Sequence, residues 1–133
     1  MAGLYVDTSA IGRVLLEEPD AVTIAATLMQ HDLWASELLA VEFRRLAGRE
    51  SLANEAEQLL ADINLVELNS SSLARASNIL PMTVRTLDAI HLEAAVRLHT
   101  RGTVDAVLTF DRQLGEGCAR HGIQVLQPQA TNE

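Results

Sequence analysis

Lysine is missing: all ten basic residues of this 133-residue chain are arginines, set against 18 acids for a formal charge of -8. Without an ammonium group there can be no Walker A phosphate loop and no lysine Schiff base. The absence also argues against a phosphoaccepting receiver domain, which matches the size and acidity but uses a lysine beside its aspartate. Cysteine occurs once, at Cys118, which rules out an internal disulfide; no Cys/His spacing suits zinc either. No apolar run approaches the roughly 18 residues of a membrane span. The first seven residues carry no basic stretch and reach an acid at Asp7 within one strand length, unlike a signal peptide, so a cytoplasmic location is expected. No GxGxxG follows the first apolar run and no GxSxG occurs anywhere, which leaves a dinucleotide fold and a serine-nucleophile elbow without support.

Hydrophobic residues make up 48% of the chain, enough apolar mass for one core. We expect a single domain over residues 1–128, with a polar tail at 129–133. Apolar runs of strand type fall at 4–6, 33–35, 65–68, 106–110 and 123–126. Helical spacing fills the intervals: 8–18, 21–30, 37–47 closed by Gly48, 52–63, a short segment from the serine-rich cap at 70–72 to Ile79, 86–100, and a last helix to Arg120. Strands that are apolar on both faces and separated by helices predict an α/β fold, three layers deep, with a mostly parallel central sheet.

In such a sheet ligands bind outside the carboxyl ends of the strands. Asp7 closes the first strand and Asp111 closes the strand at 106–110, so both should face one crevice. Asp105, six residues earlier, belongs to the opposite edge. Glu42 falls inside the apolar stripe of Leu39, Phe43 and Leu46, while Glu37 points the other way as an ordinary first-turn acid. Asp88 shares a face with Leu92 and Ala95, whereas Glu93 and Arg97 form an i, i+4 pair expected in solvent. Each acid has a bland reading: Asp7 and Asp111 as helix N-caps, Asp88 as a first-turn acid, Glu42 as a tilted surface residue. Their joint placement favours a site, because four oxygen donors on one edge suit magnesium or manganese. His91 and His99, near Asp88, are expected to pack or hydrogen-bond rather than to hold zinc.

Four segments together resemble a known family: Tyr5-Val6-Asp7-Thr8-Ser9-Ala10; Ser36 through Glu42-Phe43-Arg44-Arg45; Arg85-Thr86-Leu87-Asp88-Ala89-Ile90-His91-Leu92; and Leu108-Thr109-Phe110-Asp111-Arg112-Gln113-Leu114. Their order and spacing resemble the PIN domain, most closely the VapC toxins of bacterial toxin-antitoxin modules. The resemblance implies a compact α/β/α domain and an endoribonuclease dependent on Mg2+, with Mn2+ as a substitute. It also implies a homodimer and a VapB-type antitoxin partner, joined in a heterotetramer or larger assembly. Carried over residue by residue, Asp7, Glu42, Asp88 and Asp111 are the metal-binding acids, with Ser9 and Thr109 as accessory hydroxyls. Arg44, Arg45, Arg85 and Arg112 lie close in sequence to the acids and are candidates for RNA phosphate contacts.

Other functions share some of these features. A metal-dependent DNA or flap-type nuclease would use the same acids. A phosphatase of the haloacid type would need Asp-x-Asp after the first strand, where this chain reads Asp7-Thr8-Ser9. A non-catalytic binding module on the same fold need not bind metal at all.

Overall fold

A computed structural model describes residues 1–128; the polar tail expected at 129–133 lies outside the described residues. The elements run β1 (Gly3–Val6), α1 (Thr8–Leu15), α2 (Ala21–Met29), β2 (Asp32–Ser36), α3 (Glu37–Arg49), α4 (Ala53–Leu60), β3 (Ile63–Val66), α5 (Ser70–Asn78), α6 (Thr86–Thr100), β4 (Ala106–Leu108), α7 (Arg112–Arg120) and β5 (Gln124–Leu126). The five strands form one sheet in the order β3-β2-β1-β4-β5. All four pairings are parallel.

Period-two alternation along the strands divides the interior into two cores. Leu4, Val6, Leu33, Ala35, Ala106 and Leu108 face α1 to α4. Tyr5, Trp34 and Val107 face the opposite layer, where Leu92 and Leu98 of α6 meet Leu114 and Cys118 of α7. Helices on both faces hide every residue of β1, which explains its unbroken apolar run. None of the described helices is long and apolar enough to cross a membrane.

Strand order reverses at β1, whose chain continues to β2 on one side while β4 pairs on the other. A parallel sheet opens a crevice at such a switch point, beyond the carboxyl ends of the two strands. Val6 is in register with Leu108, so Asp7 and Thr109 emerge side by side.

Several boundaries differ from the sequence expectation. The first helix stops at Leu15, and Glu17 takes a positive φ of 52°. Gly48 does not close its helix, which runs on to Arg49; Ser51, with φ 58°, carries the left-handed turn instead. The fourth helix ends at Leu60, and β3 begins at Ile63, two residues before the strand expected at 65–68. Leu60 and Ile63 keep a helical i, i+3 apolar spacing, but Ile63 pairs with Leu33 of β2 and the sheet wins. Ser36 holds the N-cap position of α3 without a side-chain cap bond; α5 is capped by Asn69, which forms a reciprocal box with Ser72.

Candidate metal centre

Asp7 follows β1 directly and is only 4% exposed. Its carboxylate accepts from the Ser9 hydroxyl at 2.7 Å, from the Ala10 N–H at 3.1 Å and from the Thr109 hydroxyl at 2.6 Å. The Ala10 bond caps α1, so the cap reading of this aspartate and a placement in the crevice hold together. Burial raises the Asp7 pKa, and the hydrogen bonds of Thr109, Ser9 and the Ala10 N–H work against that rise. The hydroxyls pass the connection on: the Phe110 N–H donates to Ser9 Oγ at 2.9 Å, and the Asp111 N–H donates to Thr109 Oγ1 at 3.0 Å. Ser9 and Thr109 thereby tie the chain after β1 to the chain after β4.

Asp111 caps α7 by accepting from the Leu114 N–H at 3.0 Å. Asp88, in the first turn of α6, brings its carboxyl against that of Asp111. Burial first, then the contact and charge of Asp111, push the Asp88 pKa up from 3.8 to about 7; Asp7 adds to the rise. Two carboxyls that cannot both ionise freely mark a place short of positive charge.

Glu42 of α3 is bonded to the residue just after Asp7 and to α6. Its Oε1 accepts from Thr8 Oγ1 at 2.9 Å and from His91 Nε2 at 2.7 Å. Burial acts to raise its pKa, but the hydrogen bonds of His91 and the Thr8 hydroxyl outweigh that and hold it below the usual value. Behind His91 lies a buried chain whose direction follows from its donors. The Ser36 N–H can only donate, and it points at the Tyr5 hydroxyl oxygen at 3.2 Å. Tyr5 is un-ionised, its pKa driven upward by burial, and its own proton goes to His91 Nδ1 at 2.8 Å. His91 is then left with Nε2–H to donate to Glu42, so the carboxylate is oriented from the core.

Asp7 and Asp111 thus follow the carboxyl ends of β1 and β4, Asp88 stands against Asp111, and Glu42 reaches this edge through Thr8 and His91. Among the described residues no group of three or more His, Cys, Asp or Glu side chains is placed closely enough to hold a metal ion as it stands. The donor set is all hard oxygen, and the Asp88–Asp111 contact needs charge compensation; on both counts the residues fit a divalent cation of the magnesium type.

Other expectations divide. Asp105 is exposed at the far end of β4, its N–H donating to Gly3, as expected. The Glu93–Arg97 pair forms, but not in solvent: Glu93 is 3% exposed and also receives Arg75 from α5. Arg44 turns away to make a two-bond pair with Glu57, and Arg112 pairs with Glu116. Arg45 instead lines an open groove of about 720 Å³ that runs from Thr8, Ser9 and Glu42 to Arg13 and Arg49. Arg85 shares a smaller recess with Asp111 and Arg112. Sequence reasoning missed the engagement of Thr8 and His91 with Glu42, and the place of Arg13 and Arg49 in the groove. Cys118 is buried in the second core, and burial pushes its thiol up to about 12, which leaves it inert.

The family model described as "PIN domain" matches residues 4–118. The chain belongs to the PIN-domain family. Within it, this PIN domain is of the VapC kind. It is 32% identical to Ribonuclease VapC47 of Mycobacterium tuberculosis over 135 residues, covering 96% of this chain and 98% of that one. Ribonuclease VapC46 of the same species is 31% identical over 131 residues, with 96% and 99% covered. Among solved structures, M. tuberculosis VapC20, described as a sarcin-ricin loop cleaving toxin, superposes with a TM-score of 0.72 at 14% identity, covering 94% of this PIN domain and 99% of that chain. A chain of a toxin-antitoxin complex from Klebsiella pneumoniae gives 0.70 at 17% identity, with 96% and 99% covered. At those identities the superpositions speak for the fold, which is the three-layer α/β/α arrangement.

Proposed function

We propose that this PIN domain is an Mg2+-dependent endoribonuclease and the toxin of a toxin-antitoxin module, with Asp7, Glu42, Asp88 and Asp111 holding one or two ions. The observation that carries the reading is the contact between Asp88 and Asp111 beside the buried Asp7, which concentrates negative charge where a cation would relieve it. When bound, the cation supplies Lewis acidity at an RNA phosphodiester and makes water a competent nucleophile near neutral pH. Mn2+ has the same preference for hard oxygen and is the expected substitute.

The chain's own part is to hold these oxygens in place. Asp7 is fixed by three donors and cannot swing away. Glu42 is held from the core by His91 and from the crevice side by Thr8. Asp111 is tied to its helix as a cap, which leaves Asp88 as the acid whose charge state responds most to what is bound. No serine or histidine nucleophile is required. That the relatives are named ribonucleases favours RNA over DNA as substrate, although the acids alone would serve a DNA or flap-type nuclease equally. The Klebsiella structure described as a toxin-antitoxin complex supports a VapB-type antitoxin, and the family resemblance supports a homodimer, in a cytoplasmic setting.

Purified protein incubated with total RNA, with Mg2+ or with EDTA, tests the reading by end mapping of the products. We expect fragments with discrete ends in Mg2+, none in EDTA and none from Asp88→Asn, and growth arrest when the protein is expressed without its antitoxin. RNA left whole in both Mg2+ and Mn2+, or single-stranded DNA cut in preference, would overturn it.

A further inference from the structure

We propose that arginines on both flanks of the carboxylates form a track for the backbone of a single RNA strand, running along α3 through the site to the start of α6. The inference rests on the ribonuclease reading above and adds to it where the substrate lies.

Ion pairing sorts the ten arginines. Among the described residues Arg13, Arg44, Arg75, Arg97 and Arg112 have carboxylate partners, whereas Arg45, Arg49, Arg85, Arg101 and Arg120 have none. Arg101 and Arg120 stand at the carboxyl ends of α6 and α7, away from the acids. The other three are exposed: Arg45 and Arg49 line the groove that holds Glu42, and Arg85 lines the recess that holds Asp111. On α3, Glu42, Arg45 and Arg49 follow at i, i+3 and i+7, which places them on one face of the helix. Arg45 and Arg49 are about 6 Å apart along its axis. They line the groove that ends at Glu42, with Arg13 on its opposite wall. Across the cluster, Arg85 stands beside Asp111 in its own recess.

A chain of net charge -8 repels RNA at long range, so a grip on phosphate must come from a local concentration of the other sign. Here Arg45, Arg49 and Arg85 supply it at the two ends of the cluster. A strand crossing the carboxylates would meet Arg45 and Arg49 before it and Arg85 after it. The groove offers no base-stacking platform, since no aromatic residue lines it. The nearby Phe110 ring is already covered by the Arg13 guanidinium, 4.3 Å from its centroid. The track therefore holds phosphates rather than bases, and its affinity should fall steeply with salt.

The test uses fluorescence anisotropy with a labelled short single-stranded oligoribonucleotide of mixed sequence, titrated in Mg2+ over a salt series. Asp7→Asn protein keeps the probe whole. Removing one arginine from the phosphates should reduce the slope of log affinity against log salt by about 0.7, so Arg45→Ala with Arg49→Ala should lower it by about 1.4 and Arg85→Ala by about 0.7. Arg101→Ala with Arg120→Ala should leave it unchanged, and melting curves of all variants should match the parent. An unchanged slope in the Arg45/Arg49 pair, as would follow if these arginines served an acidic peptide instead, overturns the track. So does an equal fall in the Arg101/Arg120 pair. RNA cut by wild type with an unchanged slope in the variants sinks the track alone; arginine-dependent binding by a protein that never cuts sinks only the nuclease reading.

Discussion

Asp88 gives a direct reading of how the crowded acids affect folding. In the unfolded chain it ionises near 3.8, but in the folded protein burial and the Asp111 carboxyl raise it to about 7. Between those values the folded state binds more protons than the unfolded one, so stability from this group falls as pH rises through the window. Asp7 is shifted the same way and Glu42 the other, so the group must be isolated by comparison. In metal-free buffer the Tm of wild type should fall relative to that of Asp88→Asn as pH climbs from about 4 to about 7, because asparagine has no charge to acquire. Asp88 is only half-buried, so the gap is moderated by solvent. Two melting profiles that stay parallel across that range would mean the two carboxyls do not oppose each other. The half-buried placement of Asp88 and Glu42 was legible in the sequence because each interrupts an apolar helical stripe. The bonds from Thr8 and His91 to Glu42 were not, since they join residues 34 and 49 positions apart and no periodicity encodes such a pairing.

At the scale of elements, the helix and strand types read well and the ends less so, for reasons specific to each place. The helix at 86–100 matches because neither proline nor glycine interrupts it, and its charged pair misled only about burial. Glu93 is buried because α5 delivers Arg75 to it, which its own helix cannot announce. Two glycines show how differently one residue type can act. A Cβ on Gly3 would lie 1.9 Å from the Thr103 carbonyl oxygen, on the backbone that leads into β4. Gly48 sits in the last turns of α3 with nothing within 4 Å of a built Cβ. Gly3→Ala must therefore push the chain ahead of β4 away from β1 and should cost about 1–3 kcal/mol. Gly48→Ala should stabilise by about 0.5–1 kcal/mol by removing unfolded-state freedom from a helical position. Urea denaturation of the two variants should move the midpoint in opposite directions; a shift of the same sign in both would contradict this account of where β1 and α3 are constrained.

Acidity is a property of the whole molecule, and it makes cation binding and folding one problem. Two divalent ions held by four acids would take the formal charge from -8 to -4, and the relief would fall where the carboxyls already oppose each other. Wild type and Asp88→Asn should therefore exchange places. Without metal at neutral pH the variant melts higher, because it has one charge fewer beside Asp111. With Mg2+ the wild type gains RT ln(1 + [Mg]/Kd), about 2.7 kcal/mol at a hundredfold excess over Kd, while the variant is short of a ligand and gains less. Screening alone cannot produce this reversal, since it acts between exposed charges and would be matched by sodium at equal ionic strength. Melting curves in EDTA, in sodium chloride and in Mg2+ at one ionic strength separate the two causes. A wild type whose Tm is the same in Mg2+ and in matched sodium chloride would show that the acids do not act together on a cation, and the site would then reduce to two helix caps, a first-turn acid and a glutamate bonded to His91.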